Sequence, residues 1–316
     1  MGRSLSGFQR LALWTTAVTY LLILVGSLVR ASGSGLGCPD WPHCFGSWVP
    51  PFSAADLPPG YDPAAFNVAQ TWTEYVNRLL GVSVGFLIFA TTIAAWRRHR
   101  HDRRILWPVV AALLLTGYEG WLGGRVVAHE LAPWIVTAHL VVALVIVQLL
   151  LYATTWALFA GRPHARVPAR TALARAGAVL VVVTLVQIGI GTQVRGGVDD
   201  ALDHEVARPQ ALATVGLVDT VHRDGALVVF GVTLVVLLLV WAKHGSERPI
   251  TRVAAVIVAL TAAQIAVGLV LVYFSLPPPA QVAHLTLASL VLGASTVLVL
   301  QAWWLPEDPE EDEWHG

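Results

Sequence analysis

The chain has 316 residues, of which 56% are hydrophobic and only 13% charged, with a formal net charge of zero. A water-soluble domain usually carries about 25% charge, so the composition excludes an ordinary soluble globule and points to a lipid bilayer. The net charge of zero says nothing useful about partners, and no nucleic-acid partner is expected.

A membrane-spanning helix needs about 20 mainly apolar residues. Eight stretches qualify in chain order, near 11–29, 75–95, 106–126, 134–158, 174–194, 218–242, 251–273 and 281–304. The first is expected to remain as a helix, because Arg30 and a Gly/Ser loop follow it where a signal peptide would have a small-residue cleavage site. Both cysteines, Cys38 and Cys44, fall in the loop between the first two stretches, within CPDWPHC. Outside the cytoplasm so close a thiol pair oxidises readily, so a loop disulfide is expected. Structural and redox-active roles for it stand equally open.

Lys and Arg alternate between the two sides of these spans. One set of connecting segments holds 14 of the 20 basic residues, from Arg3 to Arg252; the other holds Arg30, Arg78, Arg125, Arg195, Arg208 and Arg223. The basic side faces the cytoplasm. Both termini are therefore expected there, and the acidic stretch from Glu307 to Glu313 reads as a solvated tail.

An internal repeat organises the chain. Adding 145 maps Glu74 to Asp219, Asn77 to His222, Arg78 to Arg223, Trp96 to Trp241, Glu119 to Gln264 and Gly123 to Gly268. The same step carries Ala138-His139-Leu140 onto Ala283-His284-Leu285. An offset of 165 brings in the first span, with Gly26 on Gly191 and Arg30 on Arg195; the difference is extra length in the cysteine loop. The expected fold is an all-α integral membrane protein, its eight spans forming two tandem pseudo-symmetric four-helix bundles. Residues 1–160 make the first half, 161–305 the second and 306–316 the tail.

Polar residues at membrane depth are costly and point to function. Asn77, His139, His222 and His284 are expected within the first one or two turns from the outer starts of the even-numbered spans, which run parallel. His222 and His284 can therefore meet at one depth and ligate a heme iron from both faces. Arg195, which is expected to end the fifth span, and Arg223 lie at that level and suit propionate carboxylates. The first half has His139 but offers Asn77 opposite it, a looser hold. Glu74 lies one turn before Asn77, where a carboxylate can move protons or merely favour a helix start. Glu119 reads either as a proton path or as a packing group.

These residues resemble a known family. GSLVRASGSGLGCPDWPHC after the first span, EYVNR opening the second, and AHL opening the fourth and eighth spans are similar to heme A synthase, most closely to actinobacterial-type members that keep the loop cysteine pair. The resemblance implies an oxidoreductase of the plasma membrane that turns the ring methyl of heme O into a formyl group. It further implies heme b on His222 and His284, with Arg195 and Arg223 at its propionates. Substrate heme O would sit in the first half, ligated by His139, with Asn77, Arg30 and Arg78 around it and Glu74 catalytic. Implied partners are a heme O synthase, the assembling terminal oxidase and a membrane electron donor or acceptor. Many members have histidine where this chain has Asn77. A membrane heme-b electron carrier without chemistry of its own is the alternative. A transporter is disfavoured, since it would place polar groups near the membrane midplane.

Overall fold

A computed structural model describes residues 4–159, 170–244 and 249–304. The expected junction at 160/161 and the tail at 306–316 lie outside them. Among the described residues the chain is helical, with no strand: α1 (Gly7–Ala31), α2 (Val68–His99), α3 (Arg103–Ala128), α4 (Pro133–Phe159), α5 (Arg170–Asp203), α6 (Arg208–Thr214), α7 (Leu217–His244), α8 (Pro249–Tyr273) and α9 (Pro278–Trp304). All but the short α6 are long and apolar enough to cross a membrane, and each overlaps one of the eight expected stretches.

Local chemistry sets the helix starts. Ser6 and Gln9 cap α1 reciprocally, Asn67 accepts from the Ala69 and Gln70 amides at the head of α2, and Asp102 caps α3. Proline opens α4, α8 and α9, where its fixed φ and missing N–H cost nothing. Because Asn67 starts α2 early, Asn77 lies deeper in its helix than the first two turns. Likewise α5 does not end at Arg195 but continues to Asp203. The apolar pattern alone hid both extensions.

The turn before α4 recurs before α9. Glu130 and Leu131 have φ of 49° and 63°, and their repeat mates Ser275 and Leu276 have 58° and 59°. In both turns the second of these residues donates its amide 3.0 Å to a carbonyl five residues back, Val126 or Leu271. This closes the C-terminus of the preceding helix in the left-handed manner usual for helix ends.

The chain divides into two compact units, Met1–Thr154 and Thr155–Gly316. In the first, Val84, Ile88, Ala112, Ile146 and Leu150 form the apolar core. Hydroxyl pairs tie its helices together, Thr15 to Thr91 at 2.8 Å and Thr16 to Thr154 at 3.1 Å. Such bonds matter because lipid offers no hydrophobic drive to join helices. In the second unit, Leu173, Leu180, Val236, Ile257 and Leu298 are the centre of the core. Trp96, Trp107, Trp121, Trp134, Trp241 and Trp303 are exposed near helix ends, as an interfacial aromatic belt requires.

Candidate functional site

In the second unit, α7 and α9 bring the His222 and His284 rings together, with centroids 6.2 Å apart and planes at 67°. Two imidazoles sharing one metal need a separation of roughly 6.3 Å, since metal–nitrogen bonds of about 2 Å add to each ring's radius. His284 Nδ1 is buried without an aligned hydrogen-bond partner, the Gln264 backbone lying beside it. Among the described residues there is no group of three or more His, Cys, Asp or Glu able to cage a bare ion. A two-donor site of this kind fits a metal that brings its own equatorial ligands, as a heme does.

Glycines on neighbouring helices make room for these rings. A Cβ on Gly191 would stand 2.9 Å from His222 Cε1, and one on Gly268 would stand 3.4 Å from His284 Cε1. The first unit repeats the arrangement, Gly123 facing His139 Cε1 at 3.5 Å and Gly26 facing Asn77 Oδ1 at 3.8 Å. Gln187 on α5 also holds His222: its amide nitrogen donates 2.6 Å to the His222 carbonyl and lies 3.1 Å from Nδ1. Sequence reasoning missed Gln187, although an amide inside VVVTLVQIGIG is the signal that should expose it.

Gly191→Ala is expected to displace the His222 ring. Overpacking at such a contact costs about 1–3 kcal/mol, or roughly a 5- to 150-fold loss of heme affinity read from spectral titration. Gly189→Ala, where a Cβ meets nothing within 4 Å, should leave affinity unchanged.

His139 stands on α4 with its Nδ1 3.2 Å from Glu119 Oε1 on α3. Asn77 Oδ1 is buried without a hydrogen-bond partner. The glycine-to-side-chain pairings of α5–α9 thus recur on α1–α4, but with a different donor set.

The cysteine loop is a small core of its own. Cys38 and Cys44 form a disulfide and are fully buried, with Phe45, Tyr61 and Phe66 packed around them. The loop presses on α2 so closely at Gly37 that a Cβ there would lie 2.5 Å from the Gln70 backbone; Thr71 Oγ1 donates 2.8 Å to the Gly37 carbonyl. Glu74 is buried beneath it. Its Oε2 accepts from the Cys38 amide at 2.9 Å, and its Oε1 accepts from Arg78 Nε at 3.1 Å and from Arg78 Nη2. Arg78 Nη1 reaches the Asp40 and His43 carbonyls at 2.8 and 2.7 Å, and Nη2 reaches that of Cys38 at 3.4 Å. An arginine has five N–H donors, and all five of Arg78 are used. The guanidinium expected at the substrate has no donor left for a propionate in this arrangement. Glu74 is also not a helix-start acid: it lies beyond the first turn of α2, whereas Asp219 is in the first turn of α7.

Arg223 and Arg195 are paired as well. Arg223 bonds Asp219, repeating the Glu74–Arg78 pair, and stays half exposed. Arg195 bonds Asp199 at 2.7 Å and Gln281 at 2.5 Å, and Gln281 in turn holds the Leu276 carbonyl. Arg30 lies in the last turn of α1. Of the histidines read as solvated, His204 is so, and the Asp200 carbonyl and carboxylate beside it raise its pKa above the ordinary imidazole value. His99 instead packs on Phe8, with ring centroids 4.5 Å apart.

The chain is 29% identical to a heme A synthase of Methylobacterium radiotolerans over 92% of its own length and 89% of the relative's. It is 26% identical to one of Rhizobium etli over 91% and 86%, and 28% identical to one of Allorhizobium ampelinum over 90% and 88%. Residues 9–296 match the model of the cytochrome oxidase assembly protein family COX15-CtaA. The chain belongs to that family, as a multi-pass membrane protein of eight spans.

Proposed function

We propose that this protein is a heme A synthase, an oxidoreductase that converts the ring methyl of heme O to a formyl group for use by a terminal oxidase. The observation that carries the reading is the His222–His284 pair, set at the spacing of one shared iron. A heme b bound there supplies one-electron transfer. The change from methyl to formyl replaces two hydrogens by one oxygen, a four-electron oxidation, and a heme held by this pair would carry electrons between the site and a membrane electron donor or acceptor.

The chain's own residues divide the work. His222 and His284 hold the heme b iron, and Arg195, toward the C-terminus of α5, and Arg223, toward the N-terminus of α7, serve its propionates. His139 is the iron ligand for substrate heme O in the first half; Asn77 faces that site with an open acceptor rather than a second imidazole, and Arg30 closes α1 at that end. Glu74 and Arg78 fix the disulfide loop above α2. The protein resides in the plasma membrane with both termini in the cytoplasm, receives heme O from a heme O synthase and passes product to oxidase assembly.

Co-expression with a heme O synthase, followed by pigment extraction, tests this. Heme A should accumulate. Unchanged heme O beside a normal heme b spectrum would make the chain an electron carrier instead.

A further inference from the structure

Two helices carry one pattern at repeat-related positions. On α3, Glu119 precedes Gly123 by four residues; on α8, Gln264 precedes Gly268 by four. Residues so spaced share a helix face. In each case the glycine makes room for a histidine ring, His139 or His284, and the polar position stands by that ring's Nδ1. What differs is charge. The second unit offers His284 the Gln264 backbone, while the first offers His139 a carboxylate oxygen 3.2 Å from Nδ1, in neither case aligned as a hydrogen bond.

Glu119 has no other evident employment. Its side chain is only 15% exposed, and its second oxygen is buried without a hydrogen-bond partner. A carboxylate at membrane depth is expensive and is kept where it acts. Neutral imidazole donates from one nitrogen and accepts at the other, and the group at one nitrogen decides which. A carboxylate at Nδ1 takes the N–H and leaves the Nε2 lone pair free to bind metal. Outer partners of this kind orient a ligating imidazole and raise its basicity.

We propose that Glu119 is a positioning residue that fixes His139 with its proton on Nδ1 and makes it a stronger iron ligand than His284. The proposal rests on the reading of His139 as the ligand for heme in the first half. Its consequence is an electronic asymmetry between the halves: a more basic His139 imidazole stabilises the ferric state of iron held there, and the His222–His284 site lacks such a partner.

The test uses the purified full-length chain in detergent, titrated with hemin, and compares it with Glu119→Gln and His139→Ala. Glutamine is close in size and is what the repeat mate carries, so folding should survive; a thermal melt verifies it. Glu119→Gln should weaken one hemin site about 10–100-fold, the usual cost of losing an outer-sphere partner, and leave the other unchanged. The iron–histidine stretching band of the weakened site should fall, and at a fixed potential about tenfold more of that iron should be reduced, a shift of about 59 mV for one electron. Parent affinity together with a parent stretching band in a folded Glu119→Gln protein would overturn the role of Glu119. If His139→Ala also retains both hemin sites at parent affinity, it is the assignment of His139 as a ligand that has failed, and the proposal with it.

Discussion

Glu74→Ala should destabilise the protein by about 3–5 kcal/mol, because it strands a largely buried guanidinium at Arg78 and removes the acceptor of the Cys38 amide. The loss should appear as a lower melting temperature of the detergent-solubilised chain and as faster proteolysis in the loop after α1. Glu74→Ala combined with Arg78→Ala should cost less than the two single changes added together, since each single change leaves the other residue unpaired. This outcome separates two roles for one residue. A carboxylate that served only in catalysis would abolish formyl production without moving the melt; a carboxylate that anchors the loop moves the melt first. The geometry favours the anchor, since both oxygens are engaged by the loop and by Arg78.

His284→Ala should have the larger effect on cofactor. The change removes one of two donors, so it should exceed the roughly 10–100-fold cost of losing an outer-sphere partner. The purified variant is expected to lose the low-spin heme b bands, keeping either no heme or a high-spin form ligated by His222 alone. His222→Ala should behave alike, because the rings act as a pair. A His284→Ala protein with an unaltered low-spin spectrum would place the heme elsewhere.

Much of this was legible in the sequence. The eight spans were, since a bilayer demands long apolar runs and the basic segments alternate between them. The meeting of His222 with His284 was expected from parallel helices and equal depth, and the rings do lie together. The loop disulfide followed from two cysteines on the outer side, and Cys38 and Cys44 are joined. Other features depend on contacts that periodicity does not encode. Arg78 reads as a free cation by position, yet loop carbonyls more than thirty residues earlier consume its donors. Helix ends were misplaced at Arg195 and before Asn77, because capping by Asn67 and continuation through polar residues leave no mark in hydropathy. The glycines opposite the imidazoles were visible as matched repeat positions, but only the packing reveals what each one clears.

Everything turns on whether one iron is held between two imidazoles of the second half. Low-temperature electron paramagnetic resonance of the oxidised, purified chain, combined with near-infrared magnetic circular dichroism, reads the axial ligands directly. Low-spin ferric heme with a bis-imidazole charge-transfer band, lost in both His222→Ala and His284→Ala, is the result expected from the 6.2 Å ring spacing. A histidine–methionine or five-coordinate signature in the unmutated protein would contradict it.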